Sequence, residues 1–244
     1  VRYIEQQVFS QILPHQEVAG ILVETIQGEG GYIVPTPGFF PALRELCTRY
    51  NILLIVDEVQ CGMGRTGKLW AIEHFGVEPD IVCAGKGIAS GLPLGAMIAR
   101  KSIATWGAGT HGNTYGGNPI ASVAAIETLK LIQAEYMDNA AKVGTFALGF
   151  LQEMQQRHPS IGELRGIGLM IGVEFVMDRV TKEAAHDLAE MVANEAFRRG
   201  LLTLTCGKSS IRISPPLSLS QQEMADGLKV FEEAISIAEK AFNL

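Results

Sequence analysis

An aspartate and a lysine in this chain stand where carbonyl chemistry can be done. Asp57, followed by Glu58, closes the apolar run of residues 52–56 (ILLIV). That puts acids at the carboxyl end of a predicted buried strand, the edge at which open α/β sheets bind ligands. Lys86 follows the next apolar run, residues 81–84 (IVCA), in the stretch AGKGIASGLPLGA. Gly85 and Gly87 give it backbone freedom and leave the amine uncrowded, and partial desolvation near a crevice favours the neutral, nucleophilic form. Taken singly, a strand-end acid is as often a cap or a solvated loop residue, and a loop lysine is usually only exposed. Taken together at the ends of two neighbouring strands, they meet the needs of a ring cofactor that carries an aldehyde. The amine condenses with the aldehyde, and the acid keeps the ring nitrogen protonated so that the ring can act as an electron sink.

The elements that must position these two groups follow from the pattern of apolar residues. Residues 18–23 (VAGILV) and 52–56 are short, continuous and rich in branched side chains, as strands buried on both faces are; residues 81–84 and 94–99 (LGAMIA) are two further runs. Between the first two lies residues 37–50, with Phe40, Leu43, Leu46 and Cys47 at helical spacing. Strand, helix, strand predicts a mostly parallel sheet with right-handed crossovers. The Gly-rich connection after Ala84 is too irregular for a full crossover, so the fourth strand is expected to run antiparallel to the third. Residues 118–156 read as a long helical stretch broken near residues 137–139, and residues 162–177 as a hairpin around Gly166 and Gly168. Residues 181–199 read as an amphipathic helix closed by Gly200. Residues 201–205 and 210–214 follow as short strands, and residues 220–242 as a last helix with Ser220 as N-cap and Glu223 completing a capping box. The change of texture predicts two domains, residues 1–145 and residues 146–244, the second a smaller α+β unit. The opening residues 1–13 are polar and helix-like.

Composition narrows the function classes. The chain has 244 residues, 47% hydrophobic and 19% charged, with a formal net charge of -6. That is an ordinary globular balance, and it offers no basic patch for nucleic acid. Cys47, Cys61, Cys83 and Cys206 form no CxxC pair and no metal-ligand spacing, so no metal is expected and the thiols read as free cysteines of a reducing compartment. No apolar stretch reaches the length of a membrane span and no signal peptide is visible; the expectation is a cytoplasmic protein that handles small molecules.

The segment LLIVDEVQCGMGRTGKLWAIEHFGVEPDIVCAGKGIASGLPLGA closely resembles the signature of class III pyridoxal-phosphate (PLP) aminotransferases. That family includes 4-aminobutyrate, ornithine and acetylornithine aminotransferases, and the chain looks most like its 4-aminobutyrate members. VETIQGEGG before the segment and HGNTYGGNP after it also resemble family motifs, and the resemblance covers essentially the whole chain. It implies PLP-dependent transferase fold type I, with part of the large PLP-binding domain followed by the small C-terminal domain. It also implies a role for each matching position. Lys86 matches the Schiff-base lysine that moves the proton, Asp57 the acid paired with the pyridinium nitrogen, Val59 the side chain on one ring face, and Gln60 the amide on the phenolic oxygen. Glu24 matches an acid supporting that glutamine. Thr114 matches the hydroxyl that reaches the cofactor phosphate of the other subunit, which implies a homodimer with shared sites. Arg212, in SSIRISPPLSL, matches the arginine that pairs with a substrate carboxylate through its fork-shaped guanidinium. Glu29, in QGEGG, matches the acid that neutralises that arginine when the substrate lacks such a carboxylate. Without the resemblance, Arg212 would read as a structural ion pair and Glu29 as a turn residue.

The implied activity is transamination of an ω-amino acid with a 2-oxo acid such as 2-oxoglutarate. An ornithine- or acetylornithine-type aminotransferase and an amino-acid racemase or epimerase of the same fold are the alternatives, and a non-catalytic scaffold is a reading from a different class. His111 and Tyr115 read as loop-packing residues, Trp70 and Phe75 as core or interface aromatics, and Arg65 and Cys61 receive no chemical role. Two departures stand out. No glycine-hydroxyl phosphate turn precedes Val18, so the chain is expected to be the C-terminal fragment of a longer enzyme and to have little activity alone. Thr25 stands where many family members have proline, which bears on backbone stiffness.

Overall fold

The computed structural model describes all residues 1–244. Two compact units divide the chain. The first takes Val1–Thr25, Pro35–Met63 and Lys68–Ala134, and the second takes Ile26–Val34, Gly64–Gly67 and Glu135–Leu244.

In the first unit a four-stranded sheet has the order β1 (Gly20–Glu24), β2 (Leu53–Asp57), β3 (Ile81–Ala84), β4 (Ala96–Ala99). β1, β2 and β3 are parallel, and β4 is antiparallel to β3 with Ala84 opposite Ala96. The sequence expectation for the fourth strand therefore holds: the connection is a single 3-10 turn and a loop, too short to return the chain to the start of the sheet. Helix α1 (Phe39–Tyr50) makes the crossover from β1 to β2 and buries Phe40, Leu43, Leu46 and Cys47, the residues its period marks. Asn51 ends it in a left-handed conformation at φ 55°, as residues after helices often do. Ile52, Leu54, Val56 and Ile72 complete this core. Ahead of β1, residues Ile4–Ile12 form π-helical turns with no buried residue.

Helix α2 (Pro119–Leu131) starts at Asn118, whose side chain accepts the Ala121 N–H at 2.9 Å, with Pro119 in the first turn. Here the sequence reading needs a correction: α2 passes through π turns at Ile132–Tyr136 directly into α3 (Met137–Arg157), with no break at residues 137–139. The chain stays helical through the π turn, so the expected break is absent.

The second unit carries an antiparallel sheet formed by β5 (Ile161–Ile167), β6 (Met170–Asp178), the two-residue β7 (Glu183–Ala184), β8 (Leu204–Cys206) and β9 (Ser210–Ile213), with α3 and α4 (His186–Arg198) packed on it and α5 (Gln221–Phe242) packed on both helices. The β5–β6 hairpin is the expected one. A Cβ on Gly144 of α3 would lie 2.1 Å from the carbonyl oxygen of Gly168, so glycine alone lets helix and hairpin meet. The helix expected from residue 181 begins at His186 instead. Asp178 accepts the N–H groups of Val180 and Thr181 at 2.8 and 2.7 Å, Lys182 turns left-handed at φ 56°, and β7 pairs back onto β6. That aspartate turn takes residues 179–185 from the helix. α5 is as predicted, with Ser220 and Glu223 forming a capping box. Ile161, Val173, Phe175, Leu188, Ile211 and Phe231 are among the buried residues of this core.

Candidate active site

The parallel register of the first unit puts Glu24 opposite Asp57 and Asp57 opposite Cys83, all at the carboxyl ends of their strands. The ladder continues one step further, with the Glu58 N–H donating to the Cys83 carbonyl at 2.9 Å. Asp57 Oδ1 accepts the Val59 N–H at 2.9 Å, which fixes the carboxylate and leaves Oδ2 for another donor. Beyond β3 the backbone is fully extended at Gly85, with φ -170°. It then turns left-handed at Lys86, with φ 45°. The lysine side chain is exposed at the head of a one-turn helix, Lys86–Ala89, closed by the Ile88 N–H on the Gly85 carbonyl at 3.1 Å. A Cβ on Gly85 would meet the two Val59 methyls at 3.3 and 3.5 Å, so Val59 packs directly on the backbone that carries Lys86. Asp57, Val59 and Lys86 thus belong to one cluster, with Gln60 half-buried beside Val59 and Glu24 exposed on the neighbouring strand. Thr114 stands apart in the exposed, irregular residues 107–117.

The second acid at the strand end behaves differently. Glu58 is 0% exposed. Its Oε1 accepts from the Thr25 hydroxyl at 2.7 Å and the Ile72 N–H at 2.8 Å; its Oε2 accepts from the Ala71 N–H at 2.9 Å and the Cys61 thiol at 3.2 Å. Burial pushes its carboxyl above the usual carboxylate range, and these four hydrogen bonds pull against that rise. Position at a strand end does not by itself separate Asp57 from Glu58; in sequence only the family resemblance singled out Asp57, and it gave Glu58 no role. Sequence reasoning also treated Thr25 as a matter of backbone stiffness and missed its hydroxyl as a donor.

The second unit holds the other two residues singled out for substrate. Arg212 on β9 lies opposite Gly172 of β6 and Leu204 of β8. Its guanidinium makes a short ion pair with Glu29, and the partners differ in access: 16% of the arginine side chain is exposed against 72% of the glutamate. Burial would lower the Arg212 pKa, but the bond to Glu29 and its charge outweigh that and hold it raised. The loop bearing Glu29 is bolted to the sheet. Gly207 donates its N–H to the Glu29 carbonyl at 2.8 Å, and Arg165 gives the Gly31 carbonyl two bonds at 3.0 and 2.8 Å. The pair thus sets an exposed carboxylate on a fixed backbone against a largely covered guanidinium. Arg65, left without a role from sequence, buries its guanidinium against the carbonyls of Pro215 and Leu169, and burial lowers its pKa. Its neighbours Gly64 and Gly67, both at positive φ, were the available signal.

The chain is similar to known proteins along nearly its whole length. The family model described as Aminotransferase class-III matches residues 3–235. An alanine/serine racemase of Pyrococcus horikoshii is 42% identical over 96% of this chain and 49% of its own length. An acetylornithine aminotransferase of Clostridium acetobutylicum is 41% identical over 90% and 55%, and a 4-aminobutyrate aminotransferase of Mycobacterium leprae is 39% identical over 96% and 52%. Among solved structures, an amine transaminase from an uncultivated Pseudomonas species, in its PLP-bound form, superposes with a TM-score of 0.90 at 39% identity, covering 97% of this chain and 56% of that one. The chain spans about half the length of the curated relatives it matches.

Proposed function

The chain belongs to the class III aminotransferases, whose cofactor is PLP, and its α/β architecture is part of fold type I; on that premise we propose that it carries the lysine-bearing half of an aminotransferase that moves an amino group from an ω-amino acid of the 4-aminobutyrate type to a 2-oxo acid such as 2-oxoglutarate. The observation that carries this reading is the cluster in which Asp57 binds the Val59 N–H and Val59 packs on Gly85, directly before the left-handed Lys86.

When bound, PLP supplies an electron-withdrawing ring that stabilises negative charge on the carbon losing its proton. The residues present suit it: an exposed amine, a carboxylate with one oxygen left for a ring N–H, and a branched apolar side chain packed on the backbone just before the lysine. In this reading Lys86 Nζ would hold the cofactor through its aldehyde and carry the proton, and Asp57 Oδ2 would accept from its ring nitrogen. The Val59 side chain would pack on the ring. Gln60, supported by Glu24, would bind its phenolic oxygen. Arg212 holds the carboxylate of the 2-oxo acid, and Glu29 neutralises Arg212 while an ω-amine is bound. Thr114, from its exposed loop, reaches the phosphate held by a second copy, which makes the assembly a homodimer with shared sites. Ile120, Val123 and Ile126 of α2, all exposed, supply apolar surface for such an assembly. Residues 1–145 are then part of the cofactor-binding domain and residues 146–244 the smaller one.

The test is amino-group balance in the complete protein with PLP. Glutamate should form from 2-oxoglutarate one for one with loss of 4-aminobutyrate; activity with ornithine or acetylornithine in its place would keep the transaminase and change the donor. A second reading, amino-acid racemisation, is favoured by the racemase relative at 42% identity. A single L-amino acid given without any oxo acid discriminates. Accumulation of its D-isomer, with no amino group left on the cofactor, would replace transamination as the main activity.

A further inference from the structure

Glu58 is a carboxylate with no exposed surface and no cationic partner among its hydrogen bonds. Removing a charge from water is costly unless donors replace the water, and here four donors come from three separate stretches of the chain. Thr25 lies just past the end of β1, Cys61 in the loop after β2, and Ala71 and Ile72 open the short helix Ala71–Phe75. Capping that helix needs only the last two. The other two attach the carboxylate to the strand end itself.

Residues of an extended strand alternate sides, so a side chain anchored inward at Glu58 turns Asp57, the last residue of β2, the other way, and the chain enters its turn at Val59. Both neighbours are held in place: Asp57 binds the Val59 N–H, and Val59 touches Gly85. The Glu58 N–H holds the same residue to the Cys83 carbonyl of β3. We propose that Glu58, tied to β1 by the Thr25 hydroxyl, is the positioning residue that sets the Asp57–Val59 turn against the loop carrying Lys86. This deepens the reading above, because that turn holds the groups assigned to the PLP ring. Thr25 is then the specific partner in this chain: proline or valine at that position has no hydroxyl to give.

Thr25→Val, Thr25→Ser and Glu58→Gln are the test, read in the complete protein. The first readout is amide exchange at Val59, Ala71 and Ile72 without cofactor, and the second is the PLP dissociation constant. Loss of one bond to the carboxylate should speed Val59 exchange about tenfold in Thr25→Val. A misplaced turn should weaken PLP binding about tenfold, and Thr25→Ser should restore both. Glu58→Gln should do more, since its amide NH2 faces N–H, thiol or hydroxyl donors on whichever oxygen it replaces. Parent-like Val59 exchange and PLP affinity in Thr25→Val, with only Ala71 and Ile72 exchanging faster, would overturn the proposal and leave Glu58 as a helix cap. If Glu58→Gln fails to fold, the Thr25 pair decides alone. A parent protein that binds no PLP would sink the cofactor reading, while Val59 exchange would still decide the role of Glu58.

Discussion

A lysine at φ 45° occupies a region of backbone space that costs a residue with a side chain about 1–3 kcal/mol, and such strain persists where the surroundings enforce it. Glycine has no such penalty. Lys86→Gly should therefore raise the stability of the ligand-free protein by about 1 kcal/mol in urea unfolding while abolishing turnover. An unchanged turnover would remove Lys86 from the chemistry. Arg212 permits a sharper comparison. Arg212→Ala should weaken the half-reaction with 2-oxoglutarate by roughly 10- to 100-fold, as loss of charge-assisted hydrogen bonds does, and should affect the half-reaction with the ω-amine much less. Single-turnover rates of the two halves measure this, and equal losses would contradict the exchange of Glu29 for a substrate carboxylate. The strand end that carries Asp57 and the glycine-flanked turn that carries Lys86 were legible in sequence. The inward turn of Glu58 and the Thr25 hydroxyl were not, since both depend on strands brought together from distant parts of the chain.

At the scale of elements, Asp80 joins three of them. It accepts from Arg44 of α1 at 2.6 Å and from the Leu54 N–H of β2 at 2.8 Å, and it lies 3.5 Å from Arg100, just after β4. Burial alone would raise its carboxyl; the Arg44 and Leu54 hydrogen bonds and the two arginine charges outweigh that and hold it below the usual carboxylate range. A depressed folded value means that the stabilisation is present above the unfolded value of about 3.9 and is lost as pH falls through the folded one. Asp80→Asn should thus cost about 1.5–3 kcal/mol at pH 7, with the gap to the parent closing in acid, as denaturant midpoints across that range would show. The elements that sequence located well, α1 and α5, are those whose apolar face and caps agree. The turn at Asp178 and the π turn at Ile132–Tyr136 escaped it, the first because a side-chain-capped turn overrode a helical pattern and the second because a single π turn inside a long helix has no residue signature of its own.

For the whole molecule, two separate cores and a half-length match to its relatives make cofactor linkage the most informative global property. A ligand that binds only the folded state stabilises it by about 2.7 kcal/mol at a hundred times its dissociation constant. In a protein about twice the length of this chain that is a rise in thermal midpoint of roughly a few °C. PLP should produce such a concentration-dependent rise in the complete protein, and Lys86→Ala should keep only part of it; a midpoint indifferent to PLP would contradict the cofactor assignment. No helix is long and apolar enough to cross a membrane.

The most direct test is chemical. PLP is added to the complete protein, the mixture is reduced with borohydride, and the site of the pyridoxyl label is mapped by peptide mass spectrometry. A visible band that bleaches on reduction, with the label on Lys86, is the predicted result; a label on another lysine, or none, would contradict the account.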